Sequence, residues 1–332
     1  MGKHTLTKRQ QLRIKKMQQQ SSERAAKNCD EKSSFSNQEQ EGIIIAQYRD
    51  HVEVADVNNI THYCYLRKNL GELAVGDVVI WQKNNKHDGV ILATKPRHSE
   101  LFRFHKKTRN KLVAANINQL FIVTAPEPPR ALNVIDRYIM LAEIQGITPI
   151  IIYNKIDLVK NSELQTLRNY LSYYEELGYT VIYASTQTKK GISDIEKYLH
   201  NKASILVGLS GVGKSSIINS ILPEAASVIG HLSEKSGEGN HTTTTAKLYF
   251  LPNDGKLIDC PGIRELAIGD VTAAQVLYGF KELRELAVNC GFRNCRHTQE
   301  INCAILQAEA NSEVNLERLA SYRNILEQLN LL

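Results

Sequence analysis

Residues Gly208–Ser215 read Gly-Leu-Ser-Gly-Val-Gly-Lys-Ser, and their surroundings restrict the fold more than any other stretch of the 332-residue chain. An apolar run, Ile205–Val207, precedes the loop, and Ser216–Ile221 follows it with apolar residues at helical spacing. Strand, glycine-rich turn and helix, in that order, build a cradle for a phosphate chain. Several backbone N–H groups must converge on the anion, which calls for residues without Cβ where the chain curls. In such a cradle Gly208, Leu209, Ser210, Gly211, Val212 and Gly213 wrap the phosphates. Lys214 reaches the β- and γ-phosphates, and the Ser215 hydroxyl holds Mg²⁺. The loop predicts a nucleotide-binding α/β sheet.

This length suits two or three domains. Hydrophobic residues make up 42% of the chain, ordinary for a soluble protein, and no apolar run approaches the roughly 20 residues of a membrane span. We therefore expect no membrane partner. Met1–Gln20 carries Lys3, Lys8, Arg9, Arg13, Lys15 and Lys16 with no acid and no apolar segment behind them. That excludes a secretory signal and leaves a transit peptide open; a bacterial-type cytoplasm is the expected location. The net charge of +6 is modest, but Arg97–Lys111 forms a second basic segment opposed only by Glu100. Two single-signed segments point to a polyanion, most simply nucleic acid.

Residues 1–41 are polar and nearly free of large apolar groups, so a disordered basic tail is expected. From Gly42, five β-rich runs (Ile43–Tyr48, His51–Ala55, His62–Leu66, Val78–Trp81 and Val90–Ala93) alternate with turn residues, which predicts a small OB or SH3-like barrel over 42–110. The basic segment closing it interleaves cations with Phe102 and Phe104, a pattern for RNA contact. The alternative places both rings in the core. Residues 111–269 alternate strand and helix: Leu120–Ala125, Asn133–Gln145, Thr148–Tyr153, Glu163–Leu177, Thr180–Ala184, Ile192–Leu199 and Ser204–Val207, with Lys247–Leu251 and Lys256–Asp259 as further strands. This predicts a mostly parallel sheet with helices on both faces. Residues 270–332 read as helical around a cysteine cluster.

Strand Thr148–Tyr153 runs into Asn154-Lys155-Ile156-Asp157. A carboxylate at Asp157 accepts two hydrogen bonds from the N1–H and 2-amino group of guanine, a donor pair that adenine lacks. Asn154 would address the other base edge, and the Lys155 stem would lie along the ring. Ser185-Thr186 ends the next strand; its backbone closes over the guanine oxygen, or it is a simple turn, and both readings stand. Asp259-Cys260-Pro261-Gly262 follows another strand. There Asp259 would orient Mg²⁺ and the Gly262 N–H would sense the γ-phosphate. Upstream, His241 precedes Thr242–Thr245, and a threonine of this run, with Thr243 the candidate, would complete the Mg²⁺ shell only while the γ-phosphate is present.

The order of these motifs is unusual. Ordinary small GTPases run phosphate loop, switch threonine, D-x-x-G, N-K-x-D and serine loop, whereas here the last two come first. The same site is therefore expected from a circularly permuted chain. Beyond it, Cys290, Cys295, His297 and Cys303 fall within 14 positions. Three thiolates and an imidazole match a closed tetrahedral Zn²⁺ site, one structural ion per chain, with no open position for catalysis. Ile263, after Gly262, has no polar atom with which to orient water. Slow hydrolysis in isolation is expected, with His241 either positioning the water or contacting phosphate or RNA.

The chain resembles the RsgA (YjeQ) family from about Gly42 onward. The resemblance rests on Leu132-Asn133-x-x-Asp136-Arg137-Tyr138, Asn154–Asp157, Gly208–Ser216, Gly239-x-His241-Thr242-Thr243-Thr244, Asp259–Gly262 and the Cys/His cluster. It adds Ser216 to the phosphate-loop residues. It implies an OB-type barrel, a monomer, contact with the small ribosomal subunit and its rRNA late in maturation, and subunit-stimulated GTP hydrolysis. It also implies a link to the departure of ribosome-binding factor A. A GTP-gated RNA-binding checkpoint with little turnover is the second reading.

Overall fold

Five short strands with alternating burial close the first part of the chain into a barrel: β1 (Glu39–Gln47), β2 (His51–Ala55), β3 (Thr61–Leu66), β4 (Val78–Lys83) and β5 (Asp88–Thr94). The computed structural model describes residues 39–48, 50–67, 70–84, 88–103, 111–127, 132–222, 246–260 and 271–331. The expected tail before residue 39, Phe104, His241, Thr242–Thr245, Gly262 and Ile263 lie outside the described residues. Strand β1 pairs with both β2 and β4, and β3 runs parallel to β5, which returns antiparallel to β4. That closed ring is the OB arrangement rather than the SH3-like one. Inward positions of every strand meet around Trp81, with Ile44, Val52, Val54, Cys64, Val79 and Ile91. Strand β1 begins inside the expected tail, because Glu39–Glu41 pair with Ile80–Gln82.

The basic segment is not simply an RNA-facing strip. Part of it forms a hairpin, β6 (Glu100–Arg103) with β7 (Lys111–Ala115), which crosses the boundary expected at residue 110. Arg97 is used internally. Its Nε and Nη2 donate to the two carboxylate oxygens of Asp77 at 2.6 and 2.7 Å, and Nη1 donates to Glu100 at 2.9 Å. Asp77 is fully buried and also accepts the Ala74 N–H. Phe102 packs against Ala74, Leu112 and Ala115. For Arg97 and Phe102 the packing reading replaces the RNA reading, since a fully buried carboxylate needs its bidentate partner.

The chain then enters the nucleotide-binding half: β8 (Gln119–Thr124), α1 (Leu132–Gln145), β9 (Thr148–Tyr153), α2 (Asn161–Glu176), β10 (Thr180–Tyr183), α3 (Ile192–Leu199), β11 (Ala203–Val207), α4 (Lys214–Ile221), β12 (Lys247–Phe250) and β13 (Lys256–Asp259). The sheet order is β10-β9-β8-β11-β13-β12, continuing through β1 into the barrel. Parallel register joins β10, β9, β8, β11 and β13, whereas β12 is antiparallel to β13. Strand β8 is buried at every position. Its alternation sends Leu120 and Ile122 toward α1 and α2, and Phe121 and Val123 toward α3 and α4. Helices α5 (Ala273–Tyr278), α6 (Lys281–Ala287), α7 (Ala304–Ala310) and α8 (Leu316–Gln328) pack through Val276, Phe280, Leu319 and Tyr322 into the core that includes α1. Among the described residues no helix is long and apolar enough to cross a membrane.

Arg97→Ala leaves the Asp77 carboxylate buried without its guanidinium. We expect a loss of about 3 kcal/mol in folding free energy, read as a lowered midpoint in urea unfolding.

Candidate functional site

Five parallel strands release their carboxyl-end loops along one edge of the sheet, where open α/β sheets place ligands. Strand β11 delivers Gly208–Gly213, and α4 begins at Lys214. The glycines are required by geometry at two positions. Gly208 has φ 143°, and a Cβ there would sit 2.1 Å from the Val123 carbonyl oxygen. Gly213 has φ 93°, and a Cβ would sit 2.3 Å from Nδ2 of Asn154. The second clash shows how closely the two expected ligand loops approach. Asn154 Nδ2 donates to the Val212 carbonyl at 2.9 Å, and its backbone N–H donates to Thr124 on β8.

Asn154 is completely buried, and its amide nitrogen braces the phosphate loop. Its Oδ1 is buried with no hydrogen-bond partner, an acceptor held beside the loop. Lys155 adopts the left-handed conformation at φ 59°, which turns the chain sharply so that Asp157 is exposed beyond it. Ile156 is buried, and its N–H donates to Ala184, knitting this loop to the end of β10. There the Ser185 Oγ accepts the Thr188 N–H at 3.1 Å. The Ser185 side chain thus makes the turn and its N–H donates to the Lys190 carbonyl at 2.9 Å, so Thr186, half-buried beyond it, is the part placed to face a ligand.

Lys214 Nζ donates to the carbonyl oxygens of Gly208 and Leu209 at 2.8 and 2.7 Å, folded over its own loop. Ser215 and Ser216 are exposed at the start of α4. Asp259, at the end of β13, lies within electrostatic reach of Lys214. Burial raises the Asp259 carboxyl above its ordinary value and Lys214 opposes that rise. A cation placed between carboxylate and phosphate would favour the ionised form further. Of the expected site, Asn154–Asp157, Ser185-Thr186, Gly208–Ser216 and Asp259 thus share one edge of the sheet. His241, Thr243 and Gly262 lie outside the described residues.

Cys290, Cys295, His297 and Cys303 form a separate cluster, their ligand atoms all within 4.8 Å of one another. His297 Nδ1 lies 3.6 Å from Cys290 Sγ and 3.4 Å from Cys303 Sγ, and those sulfurs are 4.0 Å apart. A tetrahedral ion at ordinary metal–sulfur and metal–nitrogen lengths requires separations of roughly 3.6–3.8 Å, so the residues fit a metal. Burial and the neighbouring thiols push the Cys295 thiol up to about 12, and burial lowers His297, which keeps the imidazole neutral for ligation. His297 is held in the left-handed region at φ 62°.

One surface escaped the sequence analysis. Tyr48, Tyr63 and Tyr65 project from the barrel, 41%, 48% and 53% exposed. His51 stacks on Tyr48 with centroids 4.7 Å apart and lies 5.7 Å from Tyr63. The alternation in His62-Tyr63-Cys64-Tyr65 carried the signal, because His62 and Cys64 point inward and the tyrosines must share the outer face.

Cys303→Ser should take bound metal from about one equivalent per chain to none, measured by elemental analysis of the purified protein.

The RsgA GTPase family matches residues 94–269 of this chain. Proteins described as small ribosomal subunit biogenesis GTPase RsgA from Azotobacter vinelandii and Pseudomonas fluorescens are each 42% identical over 99% of this chain and 98% of their own length. YjeQ from Thermotoga maritima superposes with a TM-score of 0.71 at 29% identity, covering 88% of this chain and 98% of that one. YloQ, described as a circularly permuted GTPase, superposes with a TM-score of 0.70 at 26% identity, covering 90% and 98%. With a phosphate loop entered after its N-K-x-D strand and matches along nearly its whole length, the chain belongs to the RsgA family of circularly permuted GTPases.

Proposed function

We propose that this GTPase acts in the cytoplasm during late maturation of the small ribosomal subunit, binding its rRNA and hydrolysing GTP when the subunit stimulates it. The observation that carries the nucleotide assignment is the 2.9 Å bond from Asn154 Nδ2 to the Val212 carbonyl, which sets a guanine-reading loop beside a phosphate loop. The partner assignment is supported by the relatives described as acting in small-subunit biogenesis.

In this reading Asp157 accepts the guanine N1–H and 2-amino group, the Lys155 stem lies along the ring, and the Ser185-Thr186 backbone meets the guanine oxygen. Backbone N–H groups from Gly208 to Ser216 surround the phosphates, and Lys214 leaves its own loop carbonyls to reach the β- and γ-phosphates. Ser215, Thr243 and Asp259 would hold Mg²⁺, which when bound neutralises charge on the phosphate oxygens. Gly262 senses the γ-phosphate. Ile263 cannot orient a water, so turnover waits for the subunit to order the switch residues. His241 either positions the water or contacts phosphate or RNA. The metal at Cys290, Cys295, His297 and Cys303 is a structural Zn²⁺, since thiolate-rich tetrahedral sites select it and leave no open position.

Unpaired rRNA bases stack on the barrel rings Tyr48, Tyr63 and Tyr65. The protein works as a monomer, and its departure is coupled to that of ribosome-binding factor A. A GTP-gated binding checkpoint with little hydrolysis is the second reading, favoured only by Ile263.

Phosphate release from GTP, measured with small subunits and with large subunits or ATP as controls, separates the readings. We expect stimulation only with small subunits and GTP, abolished in Lys214→Ala. Tight GTP binding without stimulation would leave the checkpoint. Tyr63→Ala combined with Tyr65→Ala should weaken binding to small subunits at least tenfold in filter binding, with the fold intact, since loss of one base–aromatic stack costs about 1–3 kcal/mol. Unchanged affinity would remove the barrel face from the interface.

A further inference from the structure

One buried charge ties the C-terminal helices to both helices flanking the guanine-reading loop. Arg318 on α8 is 2% exposed. Its Nη1 donates to Oδ1 of Asp136 on α1 at 2.9 Å. Its Nε and Nη2 donate to the two carboxylate oxygens of Glu282 on α6 at 2.8 and 3.1 Å. The same Asp136 oxygen accepts the Tyr174 hydroxyl of α2 at 2.7 Å, and Tyr174 is linked to the Tyr170 hydroxyl at 3.1 Å. The guanidinium also lies 4.5 Å from the Phe280 ring. Burial alone would lower the Arg318 pKa, but Asp136 and Glu282 outweigh it, so the group stays charged.

The chain path gives this contact a consequence at the site. Helix α1 leads through Gly146-Ile147 into β9, β9 ends at Tyr153, and α2 begins at Asn161. Asn154–Asp157 is thus strung between two helices that meet at the Asp136 carboxylate. Sheet register fixes where the loop emerges. Asn154 braces the loop to the phosphate side and the Ile156 N–H ties it to Ala184, while Asp157 itself is exposed, so the seating of α1 and α2 is the remaining control on its tilt toward a base.

We infer that Arg318 is a positioning residue for guanine recognition: through Asp136 and Tyr174 it sets the helices that carry Asp157. The inference rests on the assignment of Asp157 to the base. It makes Arg318 part of the nucleotide specificity of a domain whose family match ends at residue 269. A strut with a merely structural role would change stability and leave base selectivity alone.

The test uses the full chain and a fluorescent GDP analogue displaced by GDP, IDP or ADP, in the wild type, Tyr174→Phe, Arg318→Lys and Asp157→Ala. IDP lacks the 2-amino group, so the GDP-to-IDP ratio isolates the Asp157 contact. Tyr174→Phe and Arg318→Lys should weaken GDP by roughly 2- to 30-fold and narrow the GDP-to-IDP preference. Turnover at saturating GTP should fall less than about two-fold, since no group touching the phosphates is altered. Tyr174→Phe deletes one hydroxyl and leaves the Arg318 ion pairs in place, so it decides the matter if Arg318→Lys fails to fold. An unchanged GDP-to-IDP ratio in folded Tyr174→Phe, with GDP binding lost in Asp157→Ala, overturns the inference. Retained guanine preference in Asp157→Ala overturns the base assignment instead.

Discussion

The parallel register of β9, β8, β11 and β13 is the constraint on which the site depends. Gln119 on β8 lies between Thr148 on β9 and Ser204 on β11, and Ser204 lies opposite Leu257 on β13. Strands aligned in this way open their carboxyl-end loops at one edge whatever order the chain visits them. Hydrogen bonding across the sheet, not chain order, brings Asn154 against Val212. A permuted chain therefore builds the same edge, provided that each strand keeps the burial its place demands. Strand β8 shows how strict the demand is: its four apolar residues, Leu120–Val123, alternate between the two helical layers, so a one-residue slip would exchange both cores at once.

Much of this was legible because periodicity and loop chemistry are local. All nine strands and helices expected between Leu120 and Asp259 with stated bounds occur within a few residues of those bounds. The features that were not legible are pairings between distant positions. Arg97 read as one cation of a basic strip because nothing in its neighbourhood reveals Asp77, twenty residues earlier, as a buried carboxylate. The bond from Asn154 to Val212 gave no local signal either, because Val212 enters from another strand. The antiparallel course of β12, by contrast, is local: its hairpin with β13 turns through Pro252–Asp254, a connection far too short for a parallel crossover. Arg318 gave no signal at all: on a helical wheel it is an ordinary polar residue, and its partners lie on α1 and α6.

Buried ion pairs of this kind are a poor route to stability, since desolvation consumes much of the Coulomb attraction. Their strength is directional. A guanidinium with its Nε and both terminal nitrogens engaged by two carboxylates accepts one arrangement of the helices, where an apolar patch would tolerate several. That matters in a region where α5, α6 and α7 are short and the Cys290–Cys303 segment supplies little apolar surface of its own. The Cys290, Cys295, His297 and Cys303 side chains converge at one point of the chain, and Phe280, Leu319 and Tyr322 supply apolar burial against α1. The Arg318 network selects the seating.

The barrel is joined to the sheet by a different device. Ala46 of β1 pairs with Lys247 of β12, so the barrel continues the sheet at the strand that follows the threonine run. Gly76, at φ 92°, brings the barrel backbone so close that a Cβ would lie 2.2 Å from the Ala115 carbonyl oxygen and 3.5 Å from Ile258 on β13. Asn116 closes the joint by donating to the Gly76 carbonyl at 3.0 Å. A joint made of strand pairing and a glycine contact with no room for a side chain leaves little freedom to hinge without losing hydrogen bonds. The outward rings of Tyr48 and Tyr63 are consequently carried at a fixed offset from β12 and β13. A displacement of either strand therefore moves the barrel face with it.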